Sequence, residues 1–345
     1  MASSGGDSST TQGASDASAS NNSATPNPDS GEEGSCPTTF QKHASWEDEA
    51  YTQNTIDSWK FDEQQLAHFR KLQLNLNDIK HWKNNPNDVA RFLVEHDFDL
   101  KQAEQFFRNM VKWRLATNMD TFLERYGEPP PIFYSHVPMF LLKGLDHDGD
   151  AIQVQRIGKA DPWGMYQACG PDAMENALHF LDEIITARTH GIQKGWQWQT
   201  EYYEPLTGRQ ATQFTIIVDL QGLSMRQVRP VLLGMLRKAA RNGQDHYPGL
   251  AKRVLIIRPP RILSMVWRLV QHFYDERNQD KLMFVTQEDY LSVLKQYMDL
   301  SVLPSVIYPF GEGEAMPGMF AKMSMHGGVV SSTEEDCQQS ASLKK

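Results

Sequence analysis

Through "NPNDVARFLVEHDFDLKQAEQFFRNMVKWRLATN", residues 85–118, apolar side chains return every three or four positions. Val89, Phe92 and Leu93 share the face of a first helix that Asn87 or Asp88 can cap. Leu100, Ala103, Phe106, Phe107, Met110 and Trp113 form the stripe of a second helix, capped by Asp99. The two predict a helical hairpin. Upstream, residues 45–82 carry scattered apolar positions at helical spacing, enough for one or two short helices. Downstream, the prolines of "GEPPPIFY" break the pattern, because proline lacks a backbone donor and fixes φ; a boundary falls near Gly127 to Pro131.

Beyond that boundary the period changes. "FLLKGLDHDGDAIQVQRIGKADP" holds two apolar runs around Asp148-Gly149, the mark of a β-hairpin. An amphipathic helix ending at Gly191 follows, then Phe214 to Leu220, a continuous apolar strand of the kind buried on both faces. "MRQVRPVLLGMLRKAARNG" reads as helix and "KRVLIIRPP" as a second buried strand stopped by Pro259-Pro260. Ile262 to Tyr274 reads as an unusually apolar helix and "DKLMFVT" as a third strand. Strands alternating with helices predict an α/β domain with a mixed, mostly parallel sheet and right-handed crossovers.

The two ends contrast with this middle. The first forty-odd residues are Ser, Gly, Asn, Thr and acid, and the chain beyond about Phe320 is again polar; neither holds enough apolar surface to fold. We expect tails over 1–45 and 321–345, a helical lead over 46–126 and the main domain over 127–320. No apolar leader follows the initiator Met and no run reaches membrane-spanning length, which predicts a cytoplasmic protein. Cys36, Cys169 and Cys337 are too scattered for a disulfide framework or a metal site.

The formal charge of −9 argues against a nucleic-acid partner, yet it is unevenly spread. From Arg226 to Arg268 there are ten basic residues against the single acid Asp245. The apolar helix sits inside this basic island.

Candidate chemistry is mostly rejected at the level of motifs. There is no glycine-rich phosphate loop, and the glycines of "FGEGEAMPG" sit among acids that repel phosphate. "GLSM" around Ser224 lacks the final glycine of a nucleophile elbow, so Ser224 reads as a helix cap. The acids of "LDHDGDAIQ" lack the closing glutamate of a calcium loop, which leaves a solvated turn. Glu201 and Glu204 read as surface acids, and no cofactor or catalytic residue is predicted.

Four blocks in order carry a resemblance. Arg91-Phe92-Leu93, Phe98-Asp99 and Trp113-Arg114 punctuate the helical hairpin, followed by "LDHDGDAIQVQRIGKADP", "IIVDLQGLS" and "HYPGLAKRVLIIRPPRILSMVWRLVQHFYDERNQDKL". The chain from about Asp88 to Phe310 resembles the CRAL-TRIO lipid-binding family, which includes phosphatidylinositol-transfer and retinal- or tocopherol-binding proteins. The resemblance implies a hydrophobic pocket floored by the sheet, closed by a mobile gate helix, and exchange of one lipid or other hydrophobic ligand at a membrane.

By position the gate is the apolar helix, with Leu263, Met265, Val266, Trp267, Leu269, Val270 and Phe273 meeting ligand or bilayer. Arg258, Arg261 and Arg268 are then the basic residues facing an anionic membrane. Asp219, Gly222, Tyr247 and Pro248 take structural roles at strand ends and turns. Phosphatidylinositol is disfavoured: His96-Asp97 stand where transfer members carry an Arg-Lys pair, and Lys238 and Gln271 replace an expected glutamate and lysine. The alternative is a regulatory adaptor of the same fold with a small or empty pocket.

Overall fold

The computed structural model describes residues 49–122, 136, 138–190, 207 and 212–314. The polar tails, the proline-rich boundary at 127–131 and Glu201 with Glu204 lie outside the described residues.

Four helices form the lead: α1 (Glu49–Trp59), α2 (Glu63–Asn75), α3 (Pro86–Glu95) and α4 (Leu100–Thr117). Asp62 and Gln65 close a reciprocal capping box at the start of α2. Asp99 caps α4 as the sequence predicts, accepting from the amides of Lys101 and Gln102. The α3 cap is Asn85 rather than Asn87 or Asp88, its side chain accepting from the Asp88 amide at 3.0 Å. Pro86 explains the difference, since proline suits the first helical position, where no backbone donor is needed. The apolar stripes of α2, α3 and α4 interlock as one core of Phe69, Leu72, Val89, Phe92, Phe107 and their neighbours.

The second part is a five-stranded sheet in the order β1 (Met139–Leu145), β2 (Ala151–Gln155), β3 (Phe214–Asp219), β4 (Ala251–Ile257) and β5 (Leu282–Phe284). β1 and β2 pair antiparallel as a hairpin, and every later pair is parallel. Helices make the crossovers: α5 (Pro162–His190, kinked at Gly170), α6 (Pro230–His246), α7 (Leu263–Val270) and the short α8 (Glu276–Asp280). α9 (Tyr290–Tyr297) follows β5. The predicted apolar helix over 262–274 is therefore shorter, because Gln271–Phe273 tighten into a 3-10 turn.

A buried ionic cluster ties the lead to the sheet domain. Arg114 on α4 is fully buried and gives its two terminal nitrogens to the carboxylate of Glu183 on α5, at 2.8 and 3.0 Å. Its Nε donates to Asp120 at 2.7 Å, and the Tyr247 hydroxyl donates to Glu183 at 2.6 Å. Tyr247, a strand-approach residue in the sequence, thus completes a charge pair across three elements.

The hairpin turn differs from the solvated loop expected of it. Asp146 and Asp150 are buried, and Asp146 accepts from the Thr215 hydroxyl at 2.6 Å. Lys252 bridges Asp148 and Asp150 at 3.0 and 2.7 Å, while Arg253 pairs with Asp146 and Asp148. Hydrogen bonds from Arg253, then Lys252, hold the Asp148 carboxyl down at about 2. The three carboxylates bring oxygens within 4.8 Å of one another, but β4 already supplies the opposing charge.

Candidate functional site

Strand register sorts the side chains onto two faces of unlike character. On one, Ile152, Val154, Thr215, Ile217, Asp219, Leu255 and Ile257 are all fully buried. α9 and the chain after it seal that face with Leu294, Met298, Leu303 and Ile307. On the other face Met139, Leu141, Ala151, Gln153, Phe214 and Ile256 are buried, but Ile216, Val218, Val254 and Leu282 are half-buried; at β5 both faces are open, with Met283 and Phe284 exposed. The run from Phe214 was predicted to be buried on both faces; it is fully buried on one, while on the other Phe214 is buried and Ile216 and Val218 are half-buried.

α7 lies over the open face. Trp267 meets the Phe284 ring edge-on at 4.8 Å and stacks near Tyr274 at 6.4 Å. Val270 is the buried residue of α7, while Leu263, Val266, Trp267 and, just beyond, Phe273 are half-buried. Met265 and Leu269 face outward, 42% and 47% exposed. A helix turned apolar side outward costs hydration free energy at about 25 cal/mol per Å² unless something covers it.

The basic residues divide. Arg261 and Arg268 are exposed on or beside α7, as a membrane-facing role requires. Arg258 is not. It is 8% exposed, and its guanidinium grips both oxygens of Asp219 at 2.9 and 2.5 Å and the Val306 carbonyl at 2.9 Å. A buried guanidinium needs a carboxylate, and Asp219 sits at the end of the adjacent strand. The sequence placed Arg258 on the membrane face; the structure puts it under the sheet as a clamp.

Asp219 also accepts from the Gln221 amide at 3.0 Å, which shapes the turn at Gly222. Gly222 has φ +93, and a Cβ there would stand 3.1 Å from the Gly158 carbonyl, so the turn both requires positive φ and packs closely. Ser224 then caps a 3-10 turn with Gln227, as the sequence predicts of a capping residue.

One feature escaped the sequence reading. A cleft of about 350 Å³ opens between the end of α3 and the chain after α7, lined by His96, Phe106, Gln244, Phe273, Tyr274 and Arg277 among others. Arg277 reaches Asp97 at 2.6 Å, and Lys281 meets both oxygens of Glu95 at 2.7 Å. Pairs 180 or more residues apart leave no local signal.

A helical lead followed by an α/β domain, with a mixed five-stranded sheet and an apolar helix over one of its faces, defines the class of fold. The family model for the CRAL/TRIO domain matches residues 136–307. The chain belongs to the CRAL-TRIO family. It is 29% identical over 252 residues to "Protein real-time" of Drosophila melanogaster, covering 71% of this chain and 35% of that protein. It is 26% identical over 255 residues to the "SEC14 cytosolic factor" of Kluyveromyces lactis, covering 71% and 76%. It is 24% identical over 250 residues to "Phosphatidylinositol/phosphatidylcholine transfer protein SFH9" of Arabidopsis thaliana, covering 71% and 41%. The chain spans about a third of the length of the real-time proteins it matches. No helix among the described residues is long and apolar enough to cross a membrane.

Proposed function

We propose that this chain binds a single lipid or similar hydrophobic molecule on the half-open sheet face and exchanges it at an anionic membrane surface in the cytoplasm. α7 acts as the gate. The observation that carries this reading is the unequal burial of the two faces of β3 among the described residues: Thr215, Ile217 and Asp219 are fully buried, whereas Ile216 and Val218 between them are half-buried. Residues Ile216, Val218, Val254, Leu282 and Phe284 form the floor beneath α7. Leu263, Val266 and Trp267 line its underside, while Met265 and Leu269 meet the bilayer.

Arg261 and Arg268 supply the electrostatic part, each worth about 1 kcal/mol against an anionic leaflet. The family's transfer proteins support lipid as the ligand class, with the lead over 46–126 as a buttress and 127–320 as the binding domain. Phosphatidylinositol is disfavoured as the cargo. Asp97 puts a carboxylate where a phosphate would need cations, and its ion pair with Arg277 uses up the nearby positive charge.

Native mass spectrometry of the purified chain, followed by organic extraction, tests the proposal. One lipid per chain, before or after incubation with mixed liposomes, is the expected result and names the ligand class. A chain that stays empty after incubation overturns the carrier reading and leaves the adaptor of the same fold.

A further inference from the structure

α7 is held by its ends more than by its own packing. At the near end, Arg258 is locked on Asp219 and followed by Pro259-Pro260, which fixes where the helix starts. Within the helix, Val270 is the buried side chain, and Met265 and Leu269 touch solvent. What holds the far end therefore decides how freely α7 can leave the sheet.

That far end is fastened in two stages. Gln244 on α6 donates to the Phe273 carbonyl at 3.0 Å and accepts from the Asp275 amide at 2.7 Å. Gln279 donates back to the carbonyls of Gln271 and Tyr274. The second stage belongs to the helical lead. Lys281, 17% exposed, lies between the two oxygens of Glu95, and Arg277 pairs with Asp97 while its other arm rests 3.4 Å from His96 Nδ1.

These contacts cross the 350 Å³ cleft. Charged side chains bridge it. Lys281 immediately precedes β5, and its carbonyl accepts from the Val254 amide at 2.9 Å. β5 carries Phe284, the ring on which Trp267 of α7 sits. A displacement at Lys281 is thus passed through β5 to the seat of the helix.

The lead's side of the clamp is stiff. Asp97 and Phe98 both adopt left-handed backbone, φ +49 and +62, in a turn closed by the Phe98 amide on the Leu93 carbonyl at 2.9 Å. Non-glycine residues hold that conformation only where their surroundings compel it. Here the Phe98 ring is pinned against Phe61 and His68, so the turn presents Asp97 outward from a fixed base.

We infer that Glu95 and Asp97 on the helical lead are positioning residues for α7, acting through Lys281 and Arg277 to restrain the chain behind it and so set how readily it opens. This rests on the reading of α7 as a ligand gate. It adds a role for the lead that neither the strand pattern nor the apolar helix implies.

The test is charge reversal with restoration in the full chain: Lys281→Glu, Glu95→Lys and both together, with Arg277→Gln and Asp97→Asn as milder variants at a solvent-exposed pair. Hydrogen exchange over 263–284 and tryptic cleavage at Arg261 and Arg268 report opening without any ligand. Transfer of fluorescent phosphatidylcholine between phosphatidylcholine–phosphatidylserine vesicles reports exchange. Each single reversal should speed exchange across α7 about ten-fold or more while β3 stays protected, and the double reversal should restore the slow rate. Unchanged exchange in the singles, or no restoration in the double, overturns the inference. If α7 loosens and recovers as stated but no variant or parent carries lipid, the clamp stands and the carrier reading falls.

Discussion

Replacing Glu183 by Gln removes the charge that balances the most deeply buried guanidinium in the described structure. Arg114 would lose one of its two hydrogen bonds, at 2.8 and 3.0 Å, to an amide donor facing it, and keep the other only to a neutral oxygen. The Tyr247 hydroxyl would lose its anionic acceptor at 2.6 Å. Removing one partner of a buried pair costs about 3–5 kcal/mol, and because Asp120 stays at 2.7 Å from Arg114 Nε the lower end applies, about 3 kcal/mol. Against a total stability of roughly 5–15 kcal/mol that is a large fraction. It should lower Tm by roughly 6–12 °C for a domain of this size.

Tyr247→Phe removes one charge-assisted bond and should cost about 1.5–3 kcal/mol. The double variant should cost less than the two singles summed, because both act through one carboxylate. Urea denaturation of the three variants measures this. A loss below about 1 kcal/mol for Glu183→Gln, or strict additivity, would refute the account of the cluster as a single unit.

Burial is the strongest single influence on Glu183 and raises its pKa, but the charge and hydrogen bonds of Arg114, the Lys83 charge and the Tyr247 hydrogen bond together outweigh it and hold the carboxyl below its ordinary value. The stability it lends is therefore complete above the unfolded value, about 4.3, and is lost as pH falls below it. Glu183→Gln should abolish that portion of the acid limb.

Met265→Ser with Leu269→Ser should leave Tm nearly unchanged, since both side chains face out, yet weaken co-sedimentation with anionic vesicles about ten-fold or more. Arg268→Ala alone should weaken it about five-fold, and equal binding by parent and variants would count against α7 as the docking face. Gly313→Ala places a Cβ 1.8 Å from the Val302 carbonyl, so the strap over residues 311–314 must shift. The Lys143 amide, now bonded to the Glu314 carbonyl at 2.9 Å, should then exchange faster, and unchanged protection there would show that the strap does not cover the β1 edge. Burial, aided by the Arg277 charge at His96, pushes the pKa of both His96 and His246 down to about 4. Their neutral forms favour the fold, so stability should be full above about pH 6.5 and fall by a few kcal/mol towards pH 4. His246→Gln should make that decline shallower in urea titrations at pH 7 and 5, and an unaltered slope would contradict the assignment.

The legible parts of this chain were those whose cause is local. Asp99 capping α4, the period of Leu100 to Trp113 and the Asp148-Gly149 turn each depend on neighbours within a few positions, so the strings alone announced them. Arg258 shows where that stops. In the string it is one more cation of a basic island, and a cation is expected to seek water. Only when β3 and β4 pair in parallel, with Asp219 beside Ile257, does a buried carboxylate stand next to it.

The acids of the hairpin turn repeat the lesson, because Lys252 and Arg253 reach them only after two strand pairings are made. The same limit applied to the site. An apolar run such as Phe214 to Val218 reports that side chains avoid water but not which face its own chain will cover. That depends on where α9 and α7 dock: α9 seals its side with Leu294 and Met298, whereas α7 brings a bulky Trp267 onto an exposed Phe284 and leaves the middle of the floor half-open. The strands specify an apolar sheet, and the unequal helices decide how deeply each of its faces is buried.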